Sequence, residues 1–170
     1  MKLYSRLDNT EVEIKILPAK KYGIMLSGGL DSAVMLYLVL LTCASNNIPP
    51  NIQLFTIPKY DGSISYIDDI IQYMNNKFNN NLTNTIPVGN PDAHHTIQSK
   101  TAYFDIILNH TDIDYIFMGT NTNPPINLPG LAPNRIDTTS QGIILTPFFN
   151  LYKDRKSTRL NSSHTDISSY

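Results

Sequence analysis

The stretch "GIMLSGGLDSAVMLYLVLL" at residues 23–41 sets a short apolar run against a long one, with Ser-Gly-Gly-Leu-Asp-Ser between them. Residues 23–26 read as a buried strand, and from Asp31 onward the apolar density is that of a helix packed on a sheet. Residues 27–32 are then a strand-to-helix turn. Gly28 and Gly29 allow positive φ and remove the side chains that would hold an anion off the backbone, while Asp31 or a neighbour caps the helix. The N–H groups of the first helical turn, with the positive end of the helix dipole behind them, make such a turn a phosphate site. The plainer reading is a tight turn before a capped helix. The flanking Ser27 and Ser32 and the acid at Asp31 favour the phosphate reading over it.

Outward from this turn, "EVEIKIL" at 11–17 alternates Val12, Ile14 and Ile16 with Glu11, Glu13 and Lys15, the period of a half-exposed edge strand that Pro18 ends. "NIQLFTI" at 51–57 is a second core strand, set off by Pro49, Pro50 and Pro58, and completes a βαβ unit. At 66–78, Ile67, Ile70, Ile71 and Met74 line one side of an amphipathic helix. The paired Asp68 and Asp69 fall in its first turn, where carboxylates meet the dipole favourably. A turn at 79–85, a weak strand at 85–89, a helix at 96–108 and strands at 114–119 and 142–149 follow. Alternating strands and helices predict a Rossmann-like α/β fold, a twisted and mainly parallel sheet with helices on both faces. Ligands of such sheets sit beyond the carboxyl ends of the strands, here at Ser27, Ile57, Gly119 and Thr146.

The 170 residues are 41% hydrophobic and 16% charged, suited to one globular domain. A formal charge of −1 offers no field for nucleic acid. Cys43 is the sole cysteine, which excludes a disulfide framework and a CxxC metal site, and its place in an apolar helix makes it a packing residue. Adjacent His94 and His95 lack a third ligand at metal-binding spacing and read as a solvated helix start. No signal-peptide core follows Met1, and the apolar run at 33–44 is too short to span a bilayer, so no membrane partner and a cytoplasmic location are expected.

"SGGLDS" after an apolar strand resembles the SGGxDS loop of the PP-loop ATP pyrophosphatases, at all six positions. It is neither a Walker A motif, which ends Gly-Lys-Ser/Thr, nor the Rossmann glycine fingerprint. "MGTN" at 118–121 is similar to the Gly-Thr-Asn that synthetases of this family carry near the nucleotide, and "LTPFFNLYKDR" at 145–155 to the segment in which they place a lysine on the phosphates. The resemblance implies an adenine nucleotide alpha hydrolase-like fold and cleavage of ATP between the α and β phosphates. Ser27, Gly28, Gly29 and Ser32 would cradle the β and γ phosphates with backbone N–H groups and hydroxyls, Leu30 would belong to the same nucleotide-binding loop, Asp31 would help to hold a Mg²⁺, and Lys153 would act on the departing pyrophosphate. Adenine would lie against Leu26, Thr56 and Ile57, with Gly119, Thr120 and Asn121 nearby. A carboxylate or amide oxygen of a small-molecule acceptor would be adenylated, and a second nucleophile, of which ammonia is a candidate, would displace AMP.

Within the family, "GIMLSGGLDSAVMLYLVL" is most similar to the opening of the 7-cyano-7-deazaguanine synthases of queuosine biosynthesis, although their zinc-binding cysteines are not in this chain. The asparagine-synthetase-type amidotransferases are the next resemblance, through "MGTN" and "TPFFNLYK"; a nucleotide-binding module without catalysis is a third reading. The Pro- and Asn-rich connection at 119–142 is long enough to be functional, and its lone Arg135 is either a surface residue or a grip for carboxylate or phosphate. From Lys156 the chain turns to small polar residues that resemble translated adaptor sequence. Residues 1–155 are accordingly expected to be the ATP pyrophosphatase domain, cut short at its C-terminus, and 156–170 a non-native or disordered tail. Acceptor-binding helices, zinc ligands or the contacts of a homodimer would belong to what that tail replaces.

Overall fold

Ile24, Met25 and Leu26 alternate between two hydrophobic cores, one on each face of a sheet. The computed structural model describes residues 2–4, 11–58, 62–93, 95–119, 137–139 and 142–148. Among these, the elements in chain order are β1 (Lys2–Tyr4), β2 (Glu11–Glu13), β3 (Tyr22–Met25), α1 (Leu30–Ser45), β4 (Ile52–Thr56), a 3₁₀ turn (Ser63–Tyr66) and α2 (Ile67–Phe78). Then come β5 (Ile86–Pro87), α3 (His95–Asn109), β6 (Tyr115–Phe117), β7 (Asp137–Thr139) and β8 (Gly142–Leu145). The main sheet has the order β5-β4-β3-β6-β8-β7, parallel throughout except for the antiparallel pair β7 and β8.

The period-2 pattern decides which face each residue serves. Ile24, Leu26, Leu54 and Phe117 pack with α1 and α2 through Met35, Leu36, Val39, Ile67, Ile71 and Met74. Phe55, Ile57, Ile116 and Ile144 pack with α3 through Ala102, Tyr103 and Ile106. Helices therefore cover both faces, the α/β architecture expected. Gly23 contributes by its size: a Cβ there would lie 3.0 Å from the Phe55 ring and 3.3 Å from Ile113. Pro87, which has no N–H to give, sits in the edge strand β5. Asn79 ends α2 in the left-handed conformation at φ 52°.

Two expectations about strands are corrected. Residues 11–17 do not form an edge of the main sheet: only Glu11–Glu13 is strand, and it pairs with β1 in a separate antiparallel ribbon. Beyond it Ile14 and Ile16 still turn inward while Glu13 and Lys15 stay exposed, because burial follows the alternation even where no ladder forms. The connection at 119–142, read as one long loop, contains β7. A three-residue Asp-Thr-Thr strand has no apolar alternation to announce it.

Candidate functional site

The chain leaves β3 through α1 to reach β4 on one side and returns later as β6 on the other. Strand order reverses between β3 and β6, and the region beyond their carboxyl ends is the usual ligand position in such sheets. Gly119, two residues past β6, meets the start of α1 there. A Cβ on it would lie 2.9 Å from the Asp31 carbonyl oxygen and 3.1 Å from the Ser32 nitrogen, so no larger residue allows this approach without movement. The structure thus brings together the 27–32 turn and Gly119.

Inside the turn a small hydrogen-bonded circuit holds the backbone. The Ser32 hydroxyl donates to the Gly29 carbonyl at 2.8 Å and accepts the Ser27 N–H at 3.1 Å. A hydroxyl has one proton, so in the 3.1 Å contact between the two serine oxygens Ser27 is the donor. Ser27 Oγ in turn accepts the Gly29 N–H at 3.4 Å. Both serine protons are spent within the turn in this arrangement. Contrary to expectation, the two hydroxyls are therefore not turned to an anion, and what the turn offers is backbone N–H groups and the dipole of a sixteen-residue helix.

The two glycines differ in role. Gly28 has φ 77° and a Cβ on it would fall 1.8 Å from the Ser63 carbonyl oxygen, so both its conformation and its neighbour demand glycine. Gly29 does not use positive φ, contrary to expectation: it is the N-cap of α1, at φ −81° and ψ 159°. A Cβ on Gly29 would meet only Ser27 Oγ, at 3.4 Å, leaving open space where an anion would approach. The N-cap position belongs to Gly29 and not to Asp31, which is the acid of the first turn. The Cβ-free space at Gly29 leaves room for an anion at the start of α1, with Asp31 the one acid of that first turn. Among the described residues no group of three or more His, Cys, Asp and Glu stands ready to hold a metal.

Of the other expected site residues, Leu30 is exposed at the start of α1, whereas Leu26, Thr56 and Ile57 are buried. The Leu26 N–H donates to Phe55 at 2.7 Å and the Thr56 carbonyl accepts from Val88 at 2.8 Å, so both backbones are engaged in the sheet. The Thr56 hydroxyl is one of two buried side-chain polar atoms, with that of Tyr103, that lack a hydrogen-bond partner among the described residues. Thr120, Asn121, Arg135, Lys153, His94 and the 156–170 tail lie outside the described residues. Asp68 and Asp69 occupy the first turn of α2 as expected. Cys43 is buried, and burial pushes its thiol up to about 11, which fits a packing residue.

No protein-family profile matches the chain, and no curated protein does. Among solved structures it is similar to yeast FAD synthetase (Fad1) in complex with FAD, at 16% identity and a TM-score of 0.45, over 78% of this chain and 46% of that one. The chain thus spans less than half of that protein's length, and the likeness is too loose to transfer chemistry.

Sequence reading missed one residue of the site, Ser63. Its hydroxyl donates to the Ser27 carbonyl at 2.7 Å from the far side of the turn. The signal available was Gly62-Ser63 after Pro58, a turn pair between a strand and a helix, which says nothing about what the turn touches.

Proposed function

We propose that the chain binds ATP with Mg²⁺ at residues 27–32 and cleaves it to AMP and pyrophosphate, adenylating the carboxylate or amide oxygen of a small acceptor. The observation that carries this reading is the turn itself: an SGGLDS sequence at the sheet's crossover point, with Gly119 pressed against the first turn of α1 and Gly29 open to an anion. Leu30, Asp31 and Ser32 would present first-turn N–H groups to the β and γ phosphates, and Gly28 and Gly29 would let the phosphates approach. Asp31 would hold the Mg²⁺, whose charge offsets that of the phosphates. Adenine would rest beyond β3 and β4, near Leu26, Thr56 and Ile57, with Gly119, Thr120 and Asn121 beside the nucleotide.

In-line positioning and charge neutralisation would supply most of the acceleration. Lys153 is assigned to the leaving pyrophosphate, whose charge grows as the α–β bond breaks. By the resemblance of residues 23–40, the acceptor is a deazapurine carboxylate of the 7-cyano-7-deazaguanine synthase kind, with ammonia as the second nucleophile and a cytoplasmic setting. The asparagine-synthetase type is the alternative. The test is product analysis after incubation of the chain with α-labelled ATP, Mg²⁺ and a panel of acceptor carboxylates. AMP with pyrophosphate is the expected outcome; ADP with orthophosphate as main products would reject the reading.

A further inference from the structure

The 3₁₀ turn Ser63–Tyr66 sits directly behind the anion loop, and it touches that loop in two independent ways. Ser63 Oγ donates to the Ser27 carbonyl at 2.7 Å, across 36 residues of sequence. The Ser63 carbonyl oxygen lies where a Cβ on Gly28 would be, 1.8 Å away, so its backbone is packed against Gly28 with no room between. Ser27 is consequently held at every polar atom it has: its N–H and hydroxyl by Ser32, its carbonyl by Ser63. Only the link from Ser27 Oγ to the Gly29 N–H, at 3.4 Å, is long.

We propose that Ser63 is a positioning residue for phosphate binding: it fixes the peptide between Ser27 and Gly28, and so holds the loop in the shape that leaves the first-turn N–H groups of α1 open to an anion. The physical ground is preorganisation. A glycine-rich loop released from this contact samples many conformations, and an anion must then order it at the expense of affinity. A single hydroxyl-to-carbonyl bond is the device, anchored at its other end on the 3₁₀ turn that leads straight into α2, whose first residue Ile67 is part of the core that also holds α1. The inference rests on the reading of residues 27–32 as a triphosphate site.

Its test compares the parent chain, Ser63→Ala and Ser63→Thr. The probes are a non-hydrolysable Mg-ATP analogue with a methylene between the α and β phosphorus, and AMP, which lacks the β and γ phosphates. Loss of one hydrogen bond should weaken the analogue by about fivefold or more and AMP much less, and Ser63→Thr, which keeps the hydroxyl, should recover most of the loss. In the unliganded protein, amide exchange at Ser27 and Gly29 should quicken in Ser63→Ala while the Ile24 and Leu54 amides stay as in the parent. Equal loss for both probes, or unchanged analogue affinity in Ser63→Ala, overturns the positioning role. A parent chain that binds no analogue removes the triphosphate reading and this inference together, which separates the two failures.

Discussion

The Ser32 hydroxyl donates to the Gly29 carbonyl at 2.8 Å, and the same carbonyl accepts the Ala33 N–H at 3.1 Å, so one oxygen both caps the side chain and starts the helical ladder. Ser32 is buried at 6% exposure. Ser32→Ala removes the partner of the part-buried Ser27 N–H and should lower stability by about 1 kcal/mol, the usual net worth of such a hydrogen bond. Urea denaturation reads this directly, and a midpoint equal to the parent's would mean that the circuit contributes nothing.

Gly28 and Gly29 should separate fold from function. Gly28→Ala forces a side chain against the Ser63 backbone at positive φ and should cost about 3 kcal/mol or more. Gly29→Ala has room and ordinary backbone angles, so stability should stay within roughly 0.5 kcal/mol of the parent. Gly29→Val should keep the fold yet weaken Mg-ATP in calorimetry, because the branched side chain fills the approach to the first turn of α1. Undiminished binding by Gly29→Val would count against a phosphate at this turn.

Gly119→Ala tests the junction of β6 with α1. Its Cβ meets Asp31 backbone at 2.9 Å, and backbone can yield only by shifting the helix start, so a loss of about 1–3 kcal/mol is expected together with weaker nucleotide binding. Stability and affinity both equal to the parent's would show that the contact relaxes freely.

At the opposite end of the sheet, Asp114 accepts from the Lys20 ammonium and from the Lys21 N–H, each at 2.8 Å, which holds its carboxyl below the usual range. A lowered native pKa stabilises the fold above the unfolded carboxylate value of about 3.9, and that contribution disappears as pH falls through the native value. Stability should therefore decline below about pH 4, and less steeply in Asp114→Asn, whose amide oxygen still accepts the Lys21 N–H. Identical acid profiles by circular dichroism would remove Asp114 from the account.

Cys43 should be inert in the native state. With its thiol near 11 and its side chain buried, a disulfide reagent at pH 8 should react about a hundredfold or more slowly than in urea-unfolded chain. Fast native labelling would indicate that α1 opens readily.

Much of this fold could be read from the chain because its core strands and helices are strongly periodic. Ile24, Leu54 and Phe117 lie where alternation puts them, and Ile67, Ile71 and Met74 where a 3.6-residue period does. What could not be read was set by tertiary contact. The sequence shows two glycines but not that Gly28 abuts Ser63 while Gly29 faces open space. It shows a serine pair but not that Ser27 and Ser32 spend their protons on each other and on Gly29. Asp137–Thr139 became a strand only because β8 offered it an edge.

The pairing of β3 with β6 also governs how the chain can assemble. The Lys21 N–H meets its partner Asp114 across 93 residues, whereas β3 and β4 are joined by a single helix. Closing so wide a loop costs entropy before any contact repays it. Loop-closure entropy therefore predicts that β3–α1–β4 forms first and that β6 docks on it later, which would complete the surroundings of the 27–32 turn last.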